Sequence, residues 1–244
     1  MATLMGKRTG ELHLALSSDT EDPNFAPEFF SVLYQRSLYQ SMQGLTKRVL
    51  DLLRKGVRNL PENLREEADE ISRLEKDILT LFRPLYKKKL PAMKIRIHGD
   101  YHLGQILYTG NDFVIIDFEG EPARALSERR LKRSPLRDVA SMIRSFHYAA
   151  YISLLKEAPL RPEDVPQLEP WADLWYKYVA GIFLHSYLDT VNAASVVPSN
   201  REDLDIMLTA FLLEKAIYEL GYELNNRPHW INIPIKGIKH LLKK

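Results

Sequence analysis

The feature that most constrains this chain is where its hydrophobic period changes. Apolar residues recur at three- and four-residue steps through the first ninety positions, alternate over one short central window, and return to helical spacing from about residue 134. A chain patterned this way has too little strand to build a large sheet, so it is predicted to be mainly α (α+β), with helices around one small β-hairpin. Phe29, Val32, Leu33, Leu38, Met42, Leu45, Val49, Leu52 and Leu53 mark a first long helix, with Pro27 near its start and Gly56 near its stop. Leu64, Ala68, Ile71, Leu74, Ile78 and Leu81 mark a second amphipathic stretch. Its other faces carry Glu66, Glu67, Asp69, Glu70, Arg73, Lys76 and Asp77, which read as a solvated helix face.

After Lys87, Lys88 and Lys89, read as a solvated helix end, Met93, Ile95 and Ile97 alternate with Lys94 and Arg96 as in a half-buried strand. Residues 105–108 and 113–117 are two further strand runs. Thr109, Gly110, Asn111 and Asp112 between them form the turn of a hairpin, and the whole strand window covers about 93–121. Ser134 and Pro135 then open a helix with Leu136, Ala140, Ile143, His147 and Ala150 on its buried stripe. Residues 155–170, with four prolines, read as an ordered loop or a short broken helix. Two long helices are expected at roughly 170–191 and 200–225, before a short mixed end from Pro228.

Composition narrows the function classes. Among 244 residues, 34 Lys and Arg face 32 Asp and Glu, a net charge of +2, so bulk electrostatics offer no reason to bind nucleic acid. With no cysteine there are no disulfides, thiolate metal sites or cysteine nucleophiles. No apolar run approaches the ~20 residues of a membrane span, and the polar N-terminus lacks a secretory core. The chain is therefore expected to be one cytoplasmic domain, 1–244, that acts at a local site.

The chemically dense stretch is His98-Gly99-Asp100-Tyr101-His102-Leu103-Gly104-Gln105, followed by Ile115-Ile116-Asp117-Phe118-Glu119-Gly120-Glu121. Asp100 lies in a glycine-flanked loop after a strand, Gln105 opens the next strand, and Asp117 ends the strand that pairs back. Residues across an antiparallel ladder sit about 5 Å apart at Cα, so the open end of the hairpin brings Gln105 and Asp117 together. One carboxylate to accept a hydroxyl proton, with an amide oxygen and a second carboxylate to hold Mg²⁺ against ATP phosphates, suits phosphoryl transfer. A zinc site on His98 and His102 at i and i+4 is disfavoured, because Gly99 and Gly104 interrupt any helix there. His98 is read as tying the loop by hydrogen bonds, and His102 as structural or near the substrate. A carboxylate-rich turn without catalysis is the bland alternative.

These residues resemble the catalytic and metal-binding motifs of the aminoglycoside phosphotransferase and choline kinase superfamily, whose members share a protein-kinase-like fold. The departure at Gln105, where the usual motif has Asn, together with 117–124, 126–140, 211–228 and 9–16, resembles the bacterial maltokinases, often fused to or partnered with trehalose synthase. The resemblance implies ATP-dependent phosphorylation of maltose at its anomeric hydroxyl, giving maltose 1-phosphate for α-glucan synthesis. It makes Asp100 the base and Gln105 and Asp117 the Mg²⁺ ligands. Gln reaches one methylene further than Asn, which alters geometry more than chemistry. The chain is expected to be the C-terminal lobe alone, with the N-terminal β-lobe missing, because no glycine-rich loop or strand lysine precedes Asp100. In isolation it is then expected to bind ATP weakly and turn over little.

A disaccharide site needs aromatic faces and groups that hydrogen-bond hydroxyls. Lys215, Glu219 and Tyr222 fall at i, i+4 and i+7, and Trp230 follows the break at Pro228; these four are the expected maltose contacts. The plain reading is an exposed Lys-Glu pair and two core aromatics. Asp138, with Arg137, Arg144 and His147, is expected to form an internal ion pair supporting the loop. Glu119 is expected near metal or sugar, or as a replacement for the glycine of protein kinases. Rival readings are another acceptor, an aminoglycoside or choline, and a noncatalytic module that binds sugar or a partner.

Overall fold

The computed structural model describes residues 1–156 and 164–243. In chain order, helix α1 spans Ala2–Leu16, strand β1 Glu28–Phe29, α2 Val32–Gly56, α3 Glu62–Arg73, α4 Glu75–Phe82 and α5 Pro84–Lys87. Strands β2 Met93–Lys94, β3 Ile106–Tyr108 and β4 Phe113–Ile115 follow. The rest is α6 Leu126–Arg129, α7 Leu136–Lys156, α8 Val165–Val191, α9 Arg201–Asn226 and α10 Asn232–Leu242. The chain divides into two compact units, Met1–Phe29 with Pro91–Ser199, and Phe30–Leu90 with Asn200–Lys244. Among the described residues no helix is long and apolar enough to cross a membrane.

In the first unit α8 packs against both α1 and α7. The N-terminal stretch is polar by composition, yet α1 buries Met5, Thr9 and His13 on one stripe and Gly6 and Gly10 beside them. The two glycines leave room for α8. A Cβ on Gly6 would lie 2.3 Å from the Phe183 carbonyl oxygen, and one on Gly10 would lie 2.7 Å from Thr190. The β3–β4 hairpin has the predicted turn, with shorter strands than the sequence suggested. Residues 93–97 are not a third strand of it. Met93–Lys94 pairs with Glu28–Phe29, and Ile95 bridges to Arg133 through two 2.9 Å bonds.

In the second unit α2 packs on α9, and α10 on α3 and α9. The buried stripe of α2 runs through Gln35, Leu38, Met42, Thr46, Val49, Leu50 and Leu53. Phe29, Val32 and Leu33, assigned to that stripe by spacing, are exposed. Ser31 caps the helix, its hydroxyl accepting the Tyr34 amide at 3.1 Å, so α2 starts three residues after Phe29 and leaves that residue outside it. The second amphipathic stretch is two helices, broken at Leu74. At the break the Ser72 carbonyl accepts a 2.8 Å bond from the Arg54 guanidinium. Its charge run is not wholly solvated, since Lys239 reaches Glu70 at 2.6 Å.

Further along, Leu136, Ala140, Ile143, His147 and Ala150 are buried as predicted, and the Ser134 hydroxyl accepts the Leu136 amide at 3.3 Å. The proline-rich reading of 155–170 lies partly outside the described residues. Within them, Pro166 and Pro170 sit inside α8, which begins at Val165. The end of the chain is more regular than its composition suggested, because Ile233, Ile235, Ile238 and Leu241 give α10 a buried face.

Candidate functional site

Strands β3 and β4 pair antiparallel, with Ile106 opposite Ile115, Leu107 opposite Val114 and Tyr108 opposite Phe113. One more bond, from the Ile116 amide to the Gln105 carbonyl at 3.0 Å, carries the ladder to the open end. Gln105 and Asp117 therefore emerge side by side, and Gln105 Nε2 donates to Asp117 Oδ2 at 2.8 Å. Asp117 has φ of 64°, a left-handed conformation that costs about 1 kcal/mol or more and is commonest at functional sites.

Asp100 is held beside this end by His98. The His98 ring is buried and packs near Tyr101 and Phe118, with ring centroids 5.3 Å and 5.0 Å away. Its Nε2 lies 2.8 Å from the Ile116 carbonyl oxygen, which can only accept, so Nε2 carries the proton and Nδ1 accepts the Asp100 amide at 3.3 Å. One imidazole thus ties the residue before Asp117 to the amide of Asp100, and neither nitrogen is left for zinc.

Asp138 fixes the loop from the other side. It is buried, with Oδ2 accepting the His98 amide at 2.8 Å and Oδ1 the Gly99 amide at 3.0 Å. Gly99 itself adopts φ of 87°, the left-handed region that favours glycine. The sequence placed Asp138 in an internal ion pair among Arg137, Arg144 and His147. In the structure its side-chain partner is His13, whose Nε2 lies 3.2 Å from Oδ2. His13 was missed because its spacing marks only an inward position, and nothing local names the group it meets. Ser145 was missed likewise; its Oγ accepts the Leu103 amide at 3.1 Å.

The remaining first-unit candidates are peripheral to these ties. His102 is half-exposed, its Nδ1 accepts the Gly104 amide at 3.0 Å, and its Nε2 lies 3.8 Å from Asp100 Oδ2. Glu119 is exposed, with Oε2 3.4 Å from an Arg129 guanidinium nitrogen.

The four acceptor candidates belong to the second unit. Lys215 Nζ lies 5.0 Å from the centroid of the Tyr218 ring, and Glu219 is half-buried on the same helix. Tyr222 is 48% exposed, whereas Trp230 is only 7% exposed. The Arg227 guanidinium sits 4.1 Å over the Trp230 ring and 5.4 Å from Tyr222, and it makes 2.9 Å and 2.8 Å bonds to the buried Glu223. Trp230 therefore packs as a core aromatic with a guanidinium on its face. The Arg227 charge is balanced by Glu223.

Among the described residues no group of three or more His, Asp or Glu could hold a metal ion. The Asp117 carboxylate and the Gln105 amide are nevertheless a matched oxygen pair, because turning the amide over presents Oε1 beside the same carboxylate. An exposed pair of oxygens fits a small hard cation that draws its other ligands from water or phosphate.

No family model matches the chain. A stretch of 150 residues, 61% of the chain, is 25% identical to a glucosamine kinase of Streptacidiphilus jiangxiensis. A stretch of 147 residues is 28% identical to a glucosamine kinase of Mycolicibacterium smegmatis. These stretches span 32% and 34% of the two relatives, about a third of each. A solved glucosamine kinase superposes on 99% of this chain with a TM-score of 0.76 at 21% identity, over 53% of its own length. A glucosamine kinase in complex with glucosamine, ADP and inorganic phosphate gives the same TM-score over 54% of its length. The mainly helical lobe around a hairpin expected from the sequence is thus a kinase-like fold, shared with about half of a solved sugar phosphotransferase.

Proposed function

We propose that this chain carries the catalytic carboxylate and the acceptor side of an ATP-dependent sugar kinase. The observation that supports it is the convergence of Asp100 with the Asp117–Gln105 pair, through the single His98 bridge between the Asp100 amide and the Ile116 carbonyl. In the proposed reaction a sugar hydroxyl oxygen attacks the γ-phosphorus of ATP, its proton passes to an Asp100 carboxylate oxygen, and the bond from the γ-phosphorus to the ADP oxygen breaks. Asp138 and His98 hold the loop so that this carboxylate stays fixed while the hydroxyl approaches. Asp117 and Gln105 would hold Mg²⁺, which when bound neutralises phosphate charge. Exposed Leu107 and Val114, opposite one another on the same hairpin, offer an apolar surface of the kind a nucleobase covers.

The acceptor proposed is maltose, phosphorylated at its anomeric hydroxyl, in line with the motif resemblance and with a fused or partner trehalose synthase supplying the pathway. A second reading, glucosamine as acceptor, is favoured by the named activity of the relatives. The test is phosphorus NMR of the chain joined to a nucleotide-binding N-terminal lobe, with MgATP and each sugar, beside calorimetry of each ligand with the chain by itself. Sugar phosphate formation that falls by about 10³-fold or more in Asp100→Asn, with sugar affinity kept, supports the kinase reading. Unchanged turnover in Asp100→Asn overturns the base assignment. Sugar binding with no MgATP binding favours the noncatalytic module.

A further inference from the structure

Helix α1 reaches the candidate site at three places. At the turn of the hairpin, Arg8 makes a two-pronged contact with Asp112, Nε to Oδ1 at 2.8 Å and a terminal nitrogen to Oδ2 at 2.6 Å. One residue on, Thr9 Oγ donates to the Met5 carbonyl at 2.8 Å, so its only proton is used. The 2.8 Å contact with the Tyr101 hydroxyl must then be donated by Tyr101, the residue after Asp100. One turn further, His13 Nε2 donates to Asp138 Oδ2, since a carboxylate can only accept. His13 Nδ1 in turn accepts the Tyr187 hydroxyl of α8 at 3.0 Å.

These bonds have a fixed direction. Tyr187 donates to His13, His13 donates to Asp138, and Asp138 accepts the amides of His98 and Gly99. Tyr187, His13 and Asp138 are all buried. In so dry a setting each group depends on its partner, because an unpaired buried donor or carboxylate is costly. Burial and the nearby Asp138 charge hold the Tyr187 phenol well above its ordinary pKa, so the donor at the head of the chain keeps its proton.

We propose that α1 is the positioning element of this site and that His13, acting through Asp138, is the residue that sets the Asp100 loop. The site's chemistry rests on the phosphotransfer reading above, whereas the positioning of the loop does not. Outer partners of a polar site commonly change its ligand affinity by about 10- to 100-fold when removed, and His13 stands in that relation to the loop.

The experiment compares wild type with His13→Ala, His13→Gln and Tyr187→Phe by two readouts. The first is NMR hydrogen exchange at the His98 and Gly99 amides. The second is the affinity for Mn²⁺ alone, followed by electron paramagnetic resonance, with Asp117→Asn as the control for the metal pair. In His13→Ala the two amides should exchange about tenfold faster or more, while amides of α9 keep their rates. Mn²⁺ binding should weaken by about tenfold. Gln places an amide donor near the position of Nε2, so His13→Gln should recover most of both. Ile71→Val, a core change in the other unit, should leave the two amides untouched and so separates positioning from general loss of stability.

Unchanged exchange at His98 and Gly99 in a folded His13→Ala protein overturns the proposal, as does failure of Gln to recover it. If His13→Ala does not fold, Tyr187→Phe decides, because it removes only one hydroxyl: faster exchange supports the proposal and unchanged exchange overturns it. Should wild type bind no Mn²⁺, or Asp117→Asn bind it equally, the metal reading fails while the exchange result still judges His13.

Discussion

Gln35 shows how a single polar residue can organise an apolar helix face. It is 1% exposed, in the stripe where spacing calls for a hydrophobe. Its Nε2 donates to the Leu85 carbonyl at 2.6 Å and the Lys88 carbonyl at 2.7 Å, and its Oε1 accepts the Leu90 amide at 3.3 Å. The end of α5 is thereby satisfied from outside the helix, where its own carbonyls have no partner. Gln35→Leu keeps the volume and strands those groups, so it is expected to destabilise by about 2–4 kcal/mol in chemical denaturation, despite being the more hydrophobic choice. The apolar pattern passed over position 35, because a polar side chain does not register in it. His13 is the same case in the first unit: a polar residue on a buried stripe, whose partners are 125 and 174 positions away.

At the scale of elements, the hairpin is the part most legible from sequence, because a turn and two alternating runs are local facts. Its open end was placed correctly, with Gln105 and Asp117 in contact. Its anchoring was not legible, since Arg8 lies 104 positions from Asp112. That clamp has a pH signature. Its hydrogen bonds with Arg8, and next the Phe113 amide, hold the Asp112 carboxyl down from 3.8 to about 2. A carboxyl whose pKa is depressed by folding contributes above its unfolded value and loses that contribution as pH falls through the folded one. The clamp is therefore expected to stay closed down to about pH 4 and to open progressively towards pH 2. Carbon NMR of Asp112 should show a midpoint near 2 in wild type, moving up towards the ordinary carboxylate range in Arg8→Ala, where only the Phe113 amide bond remains.

For the molecule as a whole, the near balance of charge, +2 over 244 residues, bears on the acceptor. A nearly neutral protein exerts little long-range pull on a ligand, so affinity for an uncharged sugar should barely respond to salt. Calorimetry at ~50 mM and ~500 mM salt is expected to change maltose affinity by less than about twofold. Glucosamine is cationic near neutral pH, and if held by carboxylates it should weaken by several-fold over the same range. The pair of titrations separates the two acceptor readings without requiring turnover.

Legible in the sequence were the fold class, the hairpin with its turn, the long helices and the contact of Gln105 with Asp117. Each of these follows from period, turn chemistry or spacing within some twenty residues. What required the tertiary structure is that Met93–Lys94 pairs with β1, that Trp230 packs beneath Arg227, and that α1 reaches the site through Arg8, Thr9 and His13. The reason is physical: a buried polar group is defined by the partner that satisfies it, and that partner is set by how distant segments pack.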